Sequence, residues 1–183
     1  MAAEGGQAKK LILFLDCGDT IIDEGTQVFD DEGTVIRADV IPGADIMVKK
    51  LAALGYTLAL VADGRAQSFK NILVQNGVYD AFAALIYSEM IRAEKPSPRM
   101  FKAALGALDL SEKDSYRVAM VGNNLSRDVR GANQMGMISI HLDWTPRYPK
   151  TPADALEQPS YTISEPLELV DLAEKLNREL SES

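Results

Sequence analysis

Four short segments of this sequence carry the side chains that could do chemistry together. They are Asp16-Cys17-Gly18-Asp19-Thr20, Ala62-Asp63-Gly64-Arg65, Glu94-Lys95-Pro96-Ser97-Pro98 and Gly122-Asn123-Asn124-Leu125-Ser126-Arg127-Asp128. A carboxylate can attack an electrophile or bind a metal ion, and a lysine can neutralise the negative charge that such a reaction gathers. A single carboxylate, or a single Lys-Pro pair, is more often structural. Four such segments in this order are harder to explain by structure alone.

Five apolar runs predict the strands that position these segments. They are Leu11 to Leu15, Thr57 to Ala62, Ala84 to Tyr87, Arg117 to Val121 and Ile138 to Leu142. The runs are short and do not alternate between apolar and polar residues, which is typical of a parallel sheet covered on both faces. Because the carboxyl ends of parallel strands share one edge, we expect the reactive segments to converge there.

Helical patterns lie between the predicted strands and give the fold class. They cover Gly43 to Leu54, Ala66 to Asn76, Ser97 to about Leu108, Ser126 to Met135, and a last helix opened by Ser164 and Pro166. Helices that stop at glycine and lead into a strand describe right-handed βαβ units. The sequence therefore predicts one α/β domain over residues 10–183 with a doubly wound, mostly parallel sheet. Residues 1–9 are predicted to be a disordered tail, and residues 145–159 an extended surface loop.

The order and spacing of these segments resemble the haloacid dehalogenase-like superfamily from about Leu11 to Leu180. The most specific matches are Lys95-Pro96-x-Pro98 with Phe101, and Gly122-x5-Asp128-x2-Gly131-Ala132-x3-Gly136-Met137. The resemblance implies a three-layer, Rossmann-like fold with the first strand central. It implies that Asp16 is a nucleophile that forms an aspartyl-phosphate, with Lys95 neutralising the charge. The reaction would be the Mg²⁺-dependent hydrolysis of a phosphorylated substrate.

The same resemblance assigns the remaining site residues and shows where this sequence departs from the family. Asp16, the Gly18 carbonyl, Asn123 and Asp128 are the expected Mg²⁺ ligands, and Ala62, Asp63 and Lys95 the expected phosphate-binding positions. The family's phosphatases have an aspartate where this chain has Gly18, and the adjacent Asp19 is one place out of register. Ala62 replaces a serine or threonine, and Asn123 replaces an aspartate. These changes predict weak or narrow catalysis and weaker metal binding.

The spacing of the segments also predicts how accessible the site is. The intervals 21–61 and 63–94 are too short for an inserted cap domain. The first holds a probable hairpin, Gln27 to Asp30 and Val35 to Asp39, which resembles the family's flap beside the nucleophile. We therefore expect an open site that suits a large or protruding phosphorylated substrate. An open site suits dehalogenation poorly, because that reaction needs a desolvated pocket.

Composition limits the remaining possibilities. The net charge of −8 opposes binding to nucleic acid or anionic membranes. The single cysteine excludes an intrachain disulfide, and the sequence has neither a signal peptide nor a membrane-length apolar run, so the predicted location is cytoplasmic. Oligomeric state is left open.

Three functions remain as alternatives. A phosphohydrolase comes first, a catalytically inactive phosphate- or partner-binding protein second, and a 2-haloacid dehalogenase third. Neighbouring residues receive plainer interpretations. Cys17 is predicted to be a small buried spacer, and His141 to have no catalytic duty. Arg65, Arg127 and Arg130 are either phosphate ligands or solvated charges.

Overall fold

A computed structural model describes residues 9–182 of the chain. The strands are β1 Ile12–Leu15, β2 Val28–Phe29, β3 Val35–Arg37, β4 Thr57–Ala62, β5 Ala84–Tyr87, β6 Val118–Gly122, β7 Ile138–Leu142 and β8 Tyr161–Ile163. Six of them form a parallel sheet in the order β5-β4-β1-β6-β7-β8. The predicted parallel α/β fold is confirmed, and β1 lies inside the sheet between β4 and β6.

Helices cover both faces of this sheet. They are α1 Ala44–Ala53, α2 Ala66–Gln75, α3 Ser88–Ile91, α4 Pro98–Ala107, α5 Arg130–Gln134 and α6 Glu168–Glu182. Side chains alternate along β1: Leu13 and Leu15 pack in a core with α1, α2 and α6, whereas Ile12 and Phe14 pack in a second core with α4 and α5. The result is the predicted three-layer architecture, with β1 buried on both faces.

A small flap stands at the carboxyl edge of the sheet. It is the antiparallel pair β2–β3, shorter than the predicted hairpin, and Gly33 turns it with a φ of 77°. Its second strand is tied to α2, because the Val35 N–H donates to Ser68 Oγ (3.0 Å) and Asn71 Nδ2 donates to the Val35 carbonyl (2.9 Å). Within the described residues, only this flap, a short 3-10 turn and α1 lie between β1 and β4, so no cap domain is inserted there.

Two details differ from the sequence prediction. The predicted helix from Ser126 to Met135 is in fact a π-helical turn, Leu125–Val129, followed by α5. The sheet also gains β8, a three-residue edge strand that the sequence did not indicate.

None of the helices within residues 9–182 is long and apolar enough to span a bilayer. Most of the predicted disordered tail, residues 1–8, lies outside the described residues. The single-domain assignment and the cytoplasmic location stay predictions.

Candidate active site

Asp16 follows the last residue of β1 and opens the candidate site. Its backbone N–H continues the ladder to β6, donating to the Val121 carbonyl at 2.9 Å. Its side chain, 14% exposed, leaves the sheet at the carboxyl edge and accepts a hydrogen bond from Lys95 Nζ through Oδ1 (2.7 Å). The Asp16 side chain lines a cavity, and its second oxygen, Oδ2, is not the one that Lys95 holds. A carboxylate that is fixed by one oxygen can attack with the other.

Lys95 holds the centre of the site with all three of its ammonium protons. Nζ lies 2.7 Å from Asp16 Oδ1, 2.7 Å from Asp128 Oδ1 and 2.8 Å from the Val61 carbonyl. Burial by itself lowers the Lys95 pKa, but Asp128 and Asp16 outweigh it and raise the pKa well above its usual value. The lysine is therefore charged, fully hydrogen-bonded and fixed in direction.

Asp128 approaches the same lysine from the π-helical turn after β6. Its second oxygen accepts the Asn124 N–H at 3.1 Å. A Cβ on Gly122 would stand 2.2 Å from the Asp128 carboxyl carbon, so only glycine at that position lets the carboxylate come so close. Burial raises the pKa of Asp128, and Asp16 raises it further while Lys95 opposes the rise.

The predicted Mg²⁺ ligands lie around this group. Asp16, Gly18, Asn123 and Asp128 all line the cavity. Among the described residues, no three acidic, histidine or cysteine side chains cluster as a metal site, so any ion would depend on two carboxylates, an amide and a carbonyl. The Asn123 side chain is buried, and its Nδ2 has no hydrogen-bond partner. An oxygen donor set with at most two carboxylates fits Mg²⁺, which keeps several waters in its coordination shell.

His141, on β7, contacts one of the predicted metal ligands. Its Nε2 lies 3.2 Å from the Asn123 carbonyl; because a carbonyl can only accept, the ring carries its proton on Nε2. Burial lowers the His141 pKa, which favours the neutral ring. The sequence predicted no catalytic duty for this histidine, and the structure places it as a buried support for Asn123.

The predicted phosphate-binding positions are not all brought together. Ala62 is fully buried in the core beside the sheet and does not line the cavity. The Asp63 carboxylate accepts the Lys95 backbone N–H (3.0 Å) and pairs loosely with Arg127 (3.5 Å). Asp63 therefore orients the lysine, and its negative side chain is unsuited to hold a phosphate directly.

The three arginines considered as phosphate ligands differ in how firmly other residues hold their side chains. Arg130 is held by Asp154 and Glu157. Arg65 lines the cavity but donates to the Glu32 carbonyl of the flap (2.6 Å). Arg127, with 44% of its side chain exposed, also lines the cavity. Arg127 is thus the cation best placed to meet a phosphoryl group.

Asp19 and Arg147 form an ion pair that the sequence did not predict. Asp19 has no exposed surface and a φ of 48°. Arg147 grips it with two hydrogen bonds, from Nε (2.6 Å) and Nη2 (3.1 Å), and also binds Asp23 (2.7 Å). Arg147 is exposed and lies in the tract predicted to be a surface loop, and its contacts with Asp19 and Asp23 anchor that loop to the site.

Glu24 is a second residue that sequence reasoning missed. It begins a 3-10 turn, Glu24–Thr26, and lines the cavity with Asp16. A Cβ built on Gly18 would lie 2.0 Å from Glu24 Oε1, so this carboxyl group stands in the space that a side chain at position 18 would need. Burial raises the pKa of Glu24, and the nearby Asp19 and Asp16 raise it further. No local pattern could have identified it, because the turn brings it back over six residues.

The cavity itself has a volume of about 270 Å³ and two unlike walls. One wall carries the carboxylates and Lys95 described above. The other is partly apolar and lies between the flap and α2, where Phe29, Val35, Phe69 and Ile72 contribute. Cys17 lines its floor and is fully buried, which confirms its prediction as a buried spacer; burial raises its thiol pKa well above the usual value.

Comparison with known proteins agrees with this geometry. The sequence model of a family described as haloacid dehalogenase-like hydrolase matches residues 22–142. Glyceraldehyde 3-phosphate phosphatase of Methanopyrus kandleri is 29% identical over 141 residues, which cover 77% of this chain and 58% of that protein. Phosphoserine phosphatase of Thermus thermophilus is 31% identical over 107 residues, 58% of this chain and 42% of that protein.

A solved structure gives the same picture. A haloacid dehalogenase-type (HAD) phosphatase from Thermococcus onnurineus superposes with a TM-score of 0.61 at 27% identity, covering 74% of this chain and 58% of that one. The chain spans about half the length of the curated relatives it matches.

Proposed function

The chain belongs to the haloacid dehalogenase-like hydrolase family, and from this we propose that it is a phosphohydrolase acting through an aspartyl-phosphate on Asp16. One observation carries the proposal. Asp16 stands at the carboxyl end of a central strand, lines a cavity, and is held by Lys95 through only one of its two oxygens. Such a carboxylate is positioned and charge-balanced for attack on phosphorus.

The first half of the reaction follows from that arrangement. Asp16 Oδ2 attacks the phosphorus atom while Lys95 holds Oδ1 in place. Lys95 also offsets the repulsion between Asp16 and the incoming phosphoryl group, which would otherwise oppose the approach of two anions. Arg127 at the mouth of the cavity can bind a phosphoryl oxygen, a role that its loose 3.5 Å pairing with Asp63 leaves open.

Mg²⁺ is the proposed cofactor. Asp16, the Gly18 carbonyl, Asn123 and Asp128 would hold it. When bound, the ion would neutralise phosphoryl oxygens and orient the substrate. Two of the four protein ligands are neutral, and both oxygens of Asp128 already accept hydrogen bonds. We therefore expect weak binding that depends on the substrate's own phosphate for completion.

We propose a phosphomonoester with a small organic group as the substrate. The cavity of about 270 Å³ suits a molecule of that size, and its apolar wall can receive a short carbon skeleton. The names of the relatives point the same way, since glyceraldehyde 3-phosphate and phosphoserine are small phosphorylated compounds. The larger substrates expected from an uncapped site stay a prediction.

The test is a screen of phosphomonoesters with matched variants. Phosphate release by the wild-type protein in the presence of Mg²⁺ is compared with Asp16→Asn and Asp45→Asn. The Asp45 variant makes the same chemical change on α1, where Asp45 pairs with its helix neighbour Lys49. Asp16→Asn should abolish turnover and Asp45→Asn should preserve it. Activity that survives Asp16→Asn would contradict the proposal.

The replaced residues favour a second candidate, a non-catalytic phosphate-binding protein. Gly18, Ala62 and Asn123 each stand where the related phosphatases carry a more capable group. Its signature would be phosphate-ester binding by calorimetry, lost in Arg127→Ala, with no phosphate released from any compound. Halide release from a 2-haloacid, abolished by Asp16→Asn, would instead support dehalogenation.

A further inference from the structure

We propose that the carboxyl group of Glu24 is the proton donor and acceptor of this site. The proposal rests on the phosphohydrolase function proposed above and names the group that completes its reaction. Breaking the bond between phosphorus and an alkyl oxygen requires a proton for the departing oxygen, and the attacking water must later lose one. Asp16 and Lys95 cannot do this, because they form the covalent bond and hold the charge.

The other carboxylates beside the cavity are already committed. Asp19 is fully buried and gripped twice by Arg147. Asp63 holds the Lys95 backbone, and Asp128 holds the Lys95 ammonium and the Asn124 N–H. Among the carboxylates that line the cavity in the described part of the chain, Glu24 is the one to which the preceding contacts give no role.

Hydrogen bonds to the backbone fix the turn that carries Glu24. Its N–H donates to Asp19 Oδ1 (3.1 Å), and the Asp23 carboxylate caps the same turn by accepting the Gly25 N–H (2.8 Å). Arg147 links both of these aspartates. The ion pair therefore fixes the turn from which Glu24 projects, and Arg147 and Asp19 act as positioning residues.

Gly18 makes room for that projection. An added Cβ at position 18 would stand 2.0 Å from Glu24 Oε1, 2.8 Å from Cδ and 3.1 Å from Cγ. The end of the Glu24 side chain thus lies directly beside the backbone two residues after Asp16. A carboxyl group at this point reaches the same cavity as the nucleophile, although it comes from a residue eight positions along the chain.

The two steps then balance. As Asp16 Oδ2 bonds to phosphorus and the ester P–O bond breaks, Glu24 gives its proton to the leaving oxygen, which departs as an alcohol. In the second step a water oxygen attacks the phosphorus of the aspartyl-phosphate and the Asp16–P bond breaks. Glu24 takes the proton that this water loses. Phosphate leaves, and both carboxyl groups return to their starting states.

The test compares two leaving groups in Glu24→Gln. An aryl phosphate such as p-nitrophenyl phosphate releases its phenolate without a proton donor, whereas ethyl phosphate needs a proton donor to release ethanol. We expect Glu24→Gln to lower turnover of ethyl phosphate by about 10²–10⁴-fold. With the aryl ester, the variant should release one nitrophenolate per site in a burst, then turn over slowly. Mass spectrometry should find the phosphoryl group retained on Asp16.

Three further variants make the outcome decisive. Glu32→Gln, the same change at an exposed flap residue outside the cavity, should behave as wild type. Tyr148→Phe removes a hydroxyl group from another residue that lines the cavity. Selective loss of ethyl phosphate turnover in this variant, but not in Glu24→Gln, would overturn the proposal. Glu24→Ala combined with Gly18→Asp moves the carboxyl group to position 18, where the backbone has no left-handed φ, and should recover ethyl phosphate turnover.

These outcomes separate the two proposals. If Asp16→Asn is inactive while folded Glu24→Gln turns over both esters as wild type does, the role of Glu24 is refuted and the phosphohydrolase function stands. Loss of both esters in Glu24→Gln without a burst or a phosphorylated Asp16 would also refute it, provided that the melting temperature is unchanged. If Asp16→Asn remains active, the phosphohydrolase proposal itself fails.

Discussion

Replacing Lys95 with methionine should destabilise the protein strongly, because the lysine balances two carboxylates in the interior. Methionine keeps much of the side-chain volume but removes the charge and three hydrogen bonds, to Asp16, Asp128 and the Val61 carbonyl. Asp16 is partly exposed and can recover water, whereas Asp128 is only 2% exposed and cannot. Leaving one buried charge without its partner costs about 3–5 kcal/mol. For a chain of this size, that loss lowers the melting temperature by about 6–20 °C.

The effect should also depend on pH, with a sign that follows from Asp128. Its pKa is already raised by burial, and Lys95 is the group that opposes this rise. Removing Lys95 moves the folded-state pKa further above the unfolded value. The folded variant then binds more protons than the unfolded chain, so its stability falls as the pH rises through that window. Because the pKa of Asp128 in the wild-type protein is already about 7, the deficit relative to wild type should be small below pH 7 and should grow as the pH rises above 7.

The assay is thermal unfolding in EDTA, followed by circular dichroism, for four proteins. Lys95→Met is compared with wild type, with the double variant Lys95→Met/Asp128→Asn, and with Lys102→Met. The Asp128→Asn change in the double variant removes the unpaired charge and should restore at least half of the lost stability. Lys102 pairs with Glu112 at the surface, so its loss should change stability by less than about 0.5 kcal/mol. If Asp128→Asn deepened the deficit instead of relieving it, the charge-balance argument would be wrong.

Three substitutions and one labelling experiment test separate parts of the structure. Arg147→Ala should destabilise the protein by about 1–3 kcal/mol in urea unfolding, since it strands the buried Asp19 carboxylate; adding Asp19→Asn should relieve the loss. Cys17 should resist iodoacetamide in the native protein and react only after unfolding, because its thiol is buried and its pKa raised; labelling of the folded protein would contradict this. Asn123→Asp should tighten Mg²⁺ binding measured by calorimetry, because it adds a charged oxygen ligand; equal affinity would exclude position 123 as a ligand. Gly131→Ala should cost about 1–3 kcal/mol, because its Cβ would come within 2.3 Å of an aromatic ring on α4; a neutral result would show that this ring can move.

The strands, and the reactive segments that follow them, could be predicted from local sequence patterns. Buried parallel strands are largely apolar, so β4 was visible as an apolar run with the bounds that the structure shows. Ser97 and Pro98 marked the start of α4 because a capping side chain and a proline suit only that position. β8 was missed because it has only three residues and lies at the edge of the sheet, where Ile163 alone among them is buried.

The electrostatic partners inside the site were not predictable in the same way. Arg147 and Asp19 are far apart in sequence, and nothing in the surrounding prolines indicates where the loop folds back. Nothing in the local sequence distinguishes Glu24 from other polar residues. Only the path of the backbone shows that its carboxyl group fills the space beside Gly18. An aspartate placed at position 18 alone would collide with the Glu24 side chain, which must first be removed.

The position of β1 has a consequence for how the protein is made. The strand that ends at Asp16 is synthesised before both of its neighbours in the sheet, residues 57–60 and 118–121. On the ribosome β1 must remain unpaired on one side until β6 has emerged. Leu11 to Leu15 is meanwhile an apolar segment with open backbone groups, the kind of segment that seeks any available strand. The edge of the sheet that carries Asp16 therefore folds late in synthesis. We expect nascent chains that end before residue 118 to bind chaperones and to resist purification as folded fragments.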